Sequence, residues 1–352
     1  MKKLIYSLMA AAVLLMTLPA QAARKEFKKT IRYEFSIDQN TLLEIVNRNG
    51  NIVIENTDDN RVTIEAVVTG RGGSDDEAER TCLKITPSAV MADNKISVSA
   101  EVPNSLKYEN FDLSYTIVMP AYTNINLSNK FGNVMIDRLN GRTSVKVGYG
   151  DLKIKQLNDL TGGFPVIDLA YSRESEIGEM NIGGVNLSYS GITIDRGQAV
   201  AVSSKYSKVT IGTAVTVAIE SAYDNISIAN TDKIDVSTRY TKLQLGYVGV
   251  MANIGIEYGN VSISGVGRDF ANININAKYS DSDIDVKDAR NYSFDLKTKY
   301  GNISTPSHNL VYQEQVTRDS DKSSKGRMGN ANEGGTIKVS AKYGNIKLRD
   351  NY

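Results

Sequence analysis

An aromatic residue followed by a small or polar pair and then an aliphatic recurs along this chain, with the aromatic at 131, 149, 171, 189, 206, 223, 240, 258, 279, 300 and 343. The clearest copies read KFGNV from Lys130, YGDL from Tyr149, KYSKV from Lys205, AYDNI from Ala222, EYGNV from Glu257, KYGNI from Lys299 and KYGNI from Lys342. The first nine steps are 18, 22, 18, 17, 17, 17, 18, 21 and 21 residues. A unit of this length cannot bury its own apolar face, so a fixed period of this size restricts the fold to a stacked array.

Four residues before each aromatic stand Leu127, Val145, Ile167, Val185, Val202, Ile219, Val236, Ile254, Ile275, Leu296 and Val339. Two residues before it the side chain is small or aliphatic in every copy except that of Asn129, and the positions between are polar, as with Asn126, Ser128 and Lys130. Alternation of this kind predicts a half-buried strand. The aromatics share the parity of the aliphatics, so their rings are expected to stack along an edge of the core. On that reading Tyr240→Ala costs about 3 kcal/mol, by analogy with large-to-small core changes.

Gly132, Gly150, Gly259, Gly301 and Gly344 follow the aromatic and predict a bend in which glycine supplies a positive φ. Elsewhere Ser, Thr or Asp fills the slot and can bond its own backbone. A second short strand comes next, at 134–136, 209–211, 226–228 and 261–263. The fold class is therefore all-β, a parallel β-solenoid (β-helix) of about eleven rungs of 17–22 residues with an N-terminal β cap. With strands about 4.8 Å apart, it forms a rod on the order of 50 Å long.

The first 22 residues read as a secretory signal: Lys2 and Lys3, an apolar core from Leu4 to Leu18, and Ala20-Gln21-Ala22 as a small-x-small cleavage site. Cleavage after Ala22 removes two lysines and moves the formal net charge from +1 to −1. A near-neutral chain gives no electrostatic case for nucleic acid, and no later run is apolar enough for a transmembrane helix. The single cysteine, Cys82, excludes an intrachain disulfide and reads as a small core residue.

Residues 23–118 carry looser strand signals, including an early degenerate bend motif at 49–54 and one or two helical turns at 78–83. They are the natural cap for the open end of a solenoid. Repeats then occupy 119–352. The step from Tyr300 to Tyr343 is 43 residues. It contains a polar insert at 307–334 whose composition predicts a flexible loop rich in trypsin sites from Lys322 to Arg327. Residues 337–348 then supply the final rung.

The segment NGNIVIEN from Asn49, a strand ending in Met119-Pro120, and serial [KE]-[FY]-G-N-[IV] motifs together resemble the bacterial putative-adhesin β-solenoids, relatives of the auto-transporter adhesin head domain. The resemblance runs from about Phe35 to the C-terminus. It implies an exported, envelope-associated protein with no catalytic motif, in the periplasm or at the cell surface. Some relatives are linked to sensing envelope stress or antimicrobial peptides. The Tyr before the Gly and the long late insert depart from the simplest members, so no ligand carries over.

Catalysis has little support. His308 is the sole histidine, and there is no Ser-His-Asp set, metal-binding histidine cluster or phosphate-binding loop. No cofactor is expected, and a polysaccharide-active enzyme is the least supported reading. Asp281, Asp283 and Asp285 alternate and could gather Ca²⁺, but a solvated strand face explains them more simply. One row merits attention as an anion site: Lys130, Lys205, Arg239, Lys278, Lys299 and Lys342 each precede an aromatic and so face outward. Cations repeating at strand spacing suit an anionic polymer such as lipopolysaccharide or an acidic glycan; they equally discourage sheet association, and the partner expected is an envelope or surface glycan or protein. The sequence thus favours a non-enzymatic envelope protein presenting a rigid surface for adhesion or binding, with a periplasmic stress-sensing component as the alternative.

Overall fold

The structure, a computed structural model, describes residues 24–306, 310–330 and 334–350. The expected signal segment and His308 lie outside the described residues. From Asn124 onward each repeat lays one strand on each of two faces. The strands before the aromatics pair parallel and in register, Leu127 with Val145, Val145 with Ile167, and Ile167 with Val185. The strands after them do likewise, Ile136 with Ile154 and Ile154 with Ile177. A slip of one residue would turn these columns to solvent, so burial fixes the register. All the aliphatics four residues before the aromatics are buried, none more than 3% exposed. In the middle of the array the segments from Ser175–Ser188 to Lys242–Glu257 are continuous strands that pass from one face to the other. The result is an all-β, mostly parallel solenoid.

The early bend motif joins this stack. Leu42–Asn47 pairs parallel with Asn124–Asn129, and Ile52–Asn56 with Val134–Leu139. Beyond it, Lys25–Ser36 runs antiparallel to Arg61–Gly72, which runs antiparallel to Phe111–Met119. The helix Asp75–Leu83 begins at Ser74, whose hydroxyl accepts the Glu77 N–H at 3.2 Å. It presses the fully buried Cys82 against the Arg61–Gly72 strand, with the thiol donating to the Val68 carbonyl at 3.4 Å. Burial pushes the Cys82 thiol pKa up, consistent with an inert core residue.

The C-terminal end differs from the sequence expectation twice. First, the insert contains ordered strands: Leu310–Arg318 and Asp321–Met328 form a hairpin, and Asp321–Met328 pairs antiparallel with Tyr292–Lys299. Its polar composition hides this role because the inward positions are the small Ser324, opposite Leu296, and Gly326, opposite Phe294. A Cβ at residue 326 would come within 2.6 Å of the Phe294 ring. Second, the last repeat is not the end of the stack. Gly335–Lys342 pairs with both Asn272–Lys278 and Tyr292–Lys299. Ile346–Arg349 likewise lies between Asp281–Asp285 and Ile303–Ser304. The C-terminal repeat is intercalated between its two predecessors.

A tyrosine ladder and its cationic flank as candidate binding surface

Ten tyrosines, from Tyr149 to Tyr343, sit at the corner between the two faces with φ between 51° and 63°. Positive φ is uncommon outside glycine and costs roughly 1–2 kcal/mol per residue. It also breaks the parity argument. Alternation of side chains holds only while the backbone stays extended, and a left-handed residue swings its side chain off the strand pattern. The tyrosines are therefore 39–52% exposed rather than lodged on a core edge, which overturns the expected inward placement.

The rings stack on one another instead. Centroid separations run from 4.6 to 5.3 Å and interplanar angles reach 16° at most, in the order 149, 171, 189, 206, 223, 240, 258, 279, 343 and 300. Phe131 extends the ladder at 5.1 Å, and Tyr108, which lies outside the repeat period, caps it with a tilted ring carrying Arg48 at 4.7 Å. Since neighbouring rings cover each other's faces, interior rings offer solvent only edges and hydroxyls. Face-on stacking of a sugar needs an end of the ladder, and at the Phe131 end Tyr108 and Arg48 already occupy that place.

Hydrogen bonds between rungs hold the corner in place. Each Tyr N–H but that of Tyr300 reaches the carbonyl just before the next ring, as from Tyr149 to Ala170 at 2.9 Å and from Tyr240 to Glu257 at 2.8 Å, while Tyr300 at the end of the ladder donates to Ser320 at 2.8 Å. The next residue turns inward. Ser190, Ser207, Thr241 and Ser280 each donate to the carbonyl two residues back, at 2.8–2.9 Å. Each also accepts an N–H from the preceding rung, at 3.0–3.3 Å. Where glycine fills this slot the reason is close approach. A Cβ on Gly150 would lie 2.1 Å from the Gly132 carbonyl oxygen, and one on Gly344 would lie 2.0 Å from that of Ser280. Only Gly132 among these five has the positive φ expected from sequence, at 128°. The Asn of the GN pairs, a signal available in sequence but not read from it, continues the ladder: Asn133 Oδ1 accepts the Asp151 N–H at 2.9 Å, and Asn345 Oδ1 that of Asn302 at 3.0 Å. Asp224 stands where hydroxyls stand elsewhere. It is 6% exposed and accepts from the Ser207 N–H and the Ser204 hydroxyl, both at 2.6 Å; burial raises its pKa.

The six cations flank the ladder and are exposed, but not as an even row. Lys130, Lys205, Lys299 and Lys342 hold their ammonium groups 5.3–5.6 Å from their own aromatic rings. Between Lys130 and Lys205 the same position holds Gly148, Ala170 and Ser188, leaving an open trough of about 690 Å³ also lined by Lys146, Asp168 and Asn186. Arg239 and Lys278 both approach Glu257, at 3.9 Å. Intercalation then brings Lys278, Lys342 and Lys299 into direct register on three adjacent strands, with Asp321 at 3.8 Å from Lys299. Sequence order, which separates Lys299 and Lys342 by 43 residues, concealed this cluster. The aspartates considered for Ca²⁺ are engaged within the protein: Asp283 and Asp285 with Arg349, and Asp281 with the Asn345 backbone N–H at 2.7 Å. No helix among the described residues is long and apolar enough to cross a membrane.

Residues 40–349 match the family described as Toastrack DUF4097. Comparison with curated proteins finds no match. Among solved structures, a putative adhesin from Parabacteroides distasonis is 12% identical with a TM-score of 0.35, covering 73% of this chain and 92% of its own. A putative adhesin from Bacteroides fragilis is 15% identical with a TM-score of 0.28, covering 91% and 97% respectively. Likenesses this distant carry no argument about ligand or mechanism.

Proposed function

We propose, for a chain that belongs to the Toastrack DUF4097 family, a non-enzymatic role: an exported cell-envelope protein that presents a rigid solenoid surface for adhesion or binding. The arrangement proposed is a stack of about eleven rungs whose open end is covered by residues 24–118, with Leu42–Asn47 and Ile52–Asn56 pairing onto the first repeat. The observation that carries this reading is the outward ladder itself. Stacked rings and interlocked hydrogen bonds that repeat at strand spacing form one linear surface, flanked by exposed cations that are densest where Lys278, Lys342 and Lys299 stand on adjacent strands. Such a surface suits an extended partner better than a compact small molecule. The cations Lys130, Lys205, Arg239, Lys278, Lys299 and Lys342 favour an anionic one, an acidic glycan or an acidic protein segment.

The test is accessibility on intact cells. Lys322, Lys325 and Arg327 lie in a strand paired on both sides, so trypsin is a poor probe there. Leu160, 74% exposed between two strands, is a better insertion point for the recognition sequence of a site-specific protease. Cleavage on intact cells supports surface binding. Protection until lysis refutes surface adhesion and favours the periplasmic sensing component.

A further inference from the structure

The C-terminal hairpin ends in a strand with an unused edge. Leu310–Arg318 pairs with Asp321–Met328 on one side and, among the described residues, with nothing on the other. Seven of its nine residues are exposed, including Val311 at 51% and Tyr312 at 40%. Such an edge is a row of free N–H and C=O groups, ready to template another strand. At the opposite end of the molecule the outer strand Lys25–Ser36 is guarded against this. Lys25, Lys28, Lys29 and Arg32 stand along it with Glu26 and Glu34, and charges on an edge discourage pairing. The strand LVYQEQVTR has one Glu, one Arg, no Lys and no Pro. One end is blunted and the other left competent.

We propose that this edge pairs with the same edge of a second copy, joining two solenoids end to end through one continuous sheet at their C-terminal hairpins. Self-pairing of a single strand about a two-fold axis is antiparallel and isologous. Opposed residues share a face, so the axis passes through a residue pair. Centring it on Val316 sets Glu314 of each copy opposite Arg318 of the other, matching opposite charges twice. Centring it on Glu314 would instead oppose like charges. Within the hairpin Glu314 stands opposite Lys325 and Arg318 opposite Asp321, yet no ion pair joins either of them among the described residues, and the Asp321 carboxylate is turned to Lys299 at 3.8 Å. A single strand pair is small beside a standard stable interface, and the dimer is accordingly concentration-dependent.

Sedimentation velocity of the full chain from residue 23, over a wide concentration range, tests this. The expected result is a mass that rises towards twice the monomer with the frictional ratio of a longer rod. Arg318→Glu replaces two attractive pairs by two repulsive ones and raises the dissociation constant roughly tenfold or more. The double variant Glu314→Arg/Arg318→Glu restores association. Circular dichroism melts run in parallel confirm that these exposed substitutions leave the fold intact. A monomer at every concentration, a dimer indifferent to Arg318→Glu, or a side-by-side dimer by small-angle scattering each overturns the proposal. None of these outcomes bears on whether the surface binds an envelope partner.

Discussion

Substitution of Tyr240 separates two accounts of the aromatic column. Its ring lies 4.7 Å from that of Tyr223 and 4.9 Å from that of Tyr258, nearly parallel to both, and the residue is 47% exposed. About 100 Å² of ring surface is covered, worth roughly 2.5 kcal/mol. Two stacking contacts add about 1 kcal/mol each, and released side-chain freedom returns about 1 kcal/mol. Tyr240→Ala is thus expected to cost about 3.5 kcal/mol, close to what a ring in the core would also predict. Glycine discriminates. At an extended core position Gly is worse than Ala by roughly 0.5–1 kcal/mol, whereas at φ 53° Gly escapes a left-handed penalty of about 1 kcal/mol that Ala retains. Tyr240→Gly should therefore be the more stable of the two, and Tyr240→Phe, which keeps both stacks, should be near neutral. Long repeat arrays depart from two-state unfolding. The assay is therefore native-state hydrogen exchange at the Tyr223 and Tyr240 amides, supported by urea midpoints. A Gly variant equal to or weaker than the Ala variant would refute the left-handed corner as the source of ring orientation.

Two other substitutions probe the inward side of the corner. The Asp224 carboxyl has a pKa raised by burial, so the folded state binds its proton more tightly than the unfolded chain does. Its contribution to stability is greatest at low pH and falls as pH rises towards the folded-state value. Asp224→Ser supplies the hydroxyl found at this slot in neighbouring rungs, and should raise the melting temperature at pH 7 with a gain that shrinks towards pH 3; a gain independent of pH would contradict the assignment. Gly344→Ala places a methyl 2.0 Å from the Ser280 carbonyl oxygen, and should lower stability by about 3 kcal/mol or more, in the range of severe core disruptions. The loss should appear as early exchange of the Tyr279 and Tyr343 amides, and unchanged protection there would show that the rungs can part at little cost.

Much of this architecture is written in the chain. The period of the aromatic column requires stacking, and the aliphatics at Leu127, Val145, Ile167 and their successors fix the register, because one apolar column can be buried only one way. Lys130 and its counterparts were placed outward by the same parity, and they are exposed. The helical turns expected at 78–83 are present, but the helix starts earlier, at Asp75, where Ser74 caps it and Asp75, Asp76 and Glu77 form an acidic first turn in a segment whose composition reads as a polar loop. Three things needed the tertiary structure. The direction of the tyrosine rings depends on the sign of φ, which is set by the amide bond each Tyr makes to the next rung and not by the alternation preceding it. The strand at Asp321–Met328 exists because Phe294 offers a face that only small residues can approach, a partner 27–34 residues away in sequence. The order of the last rungs, and with it the adjacency of Lys278, Lys342 and Lys299, turns on which of two KYGNI copies docks on the Tyr279 rung. Their local sequences are identical, so only long-range pairing, with the hairpin occupying the outer side of Tyr292–Lys299, decides between them.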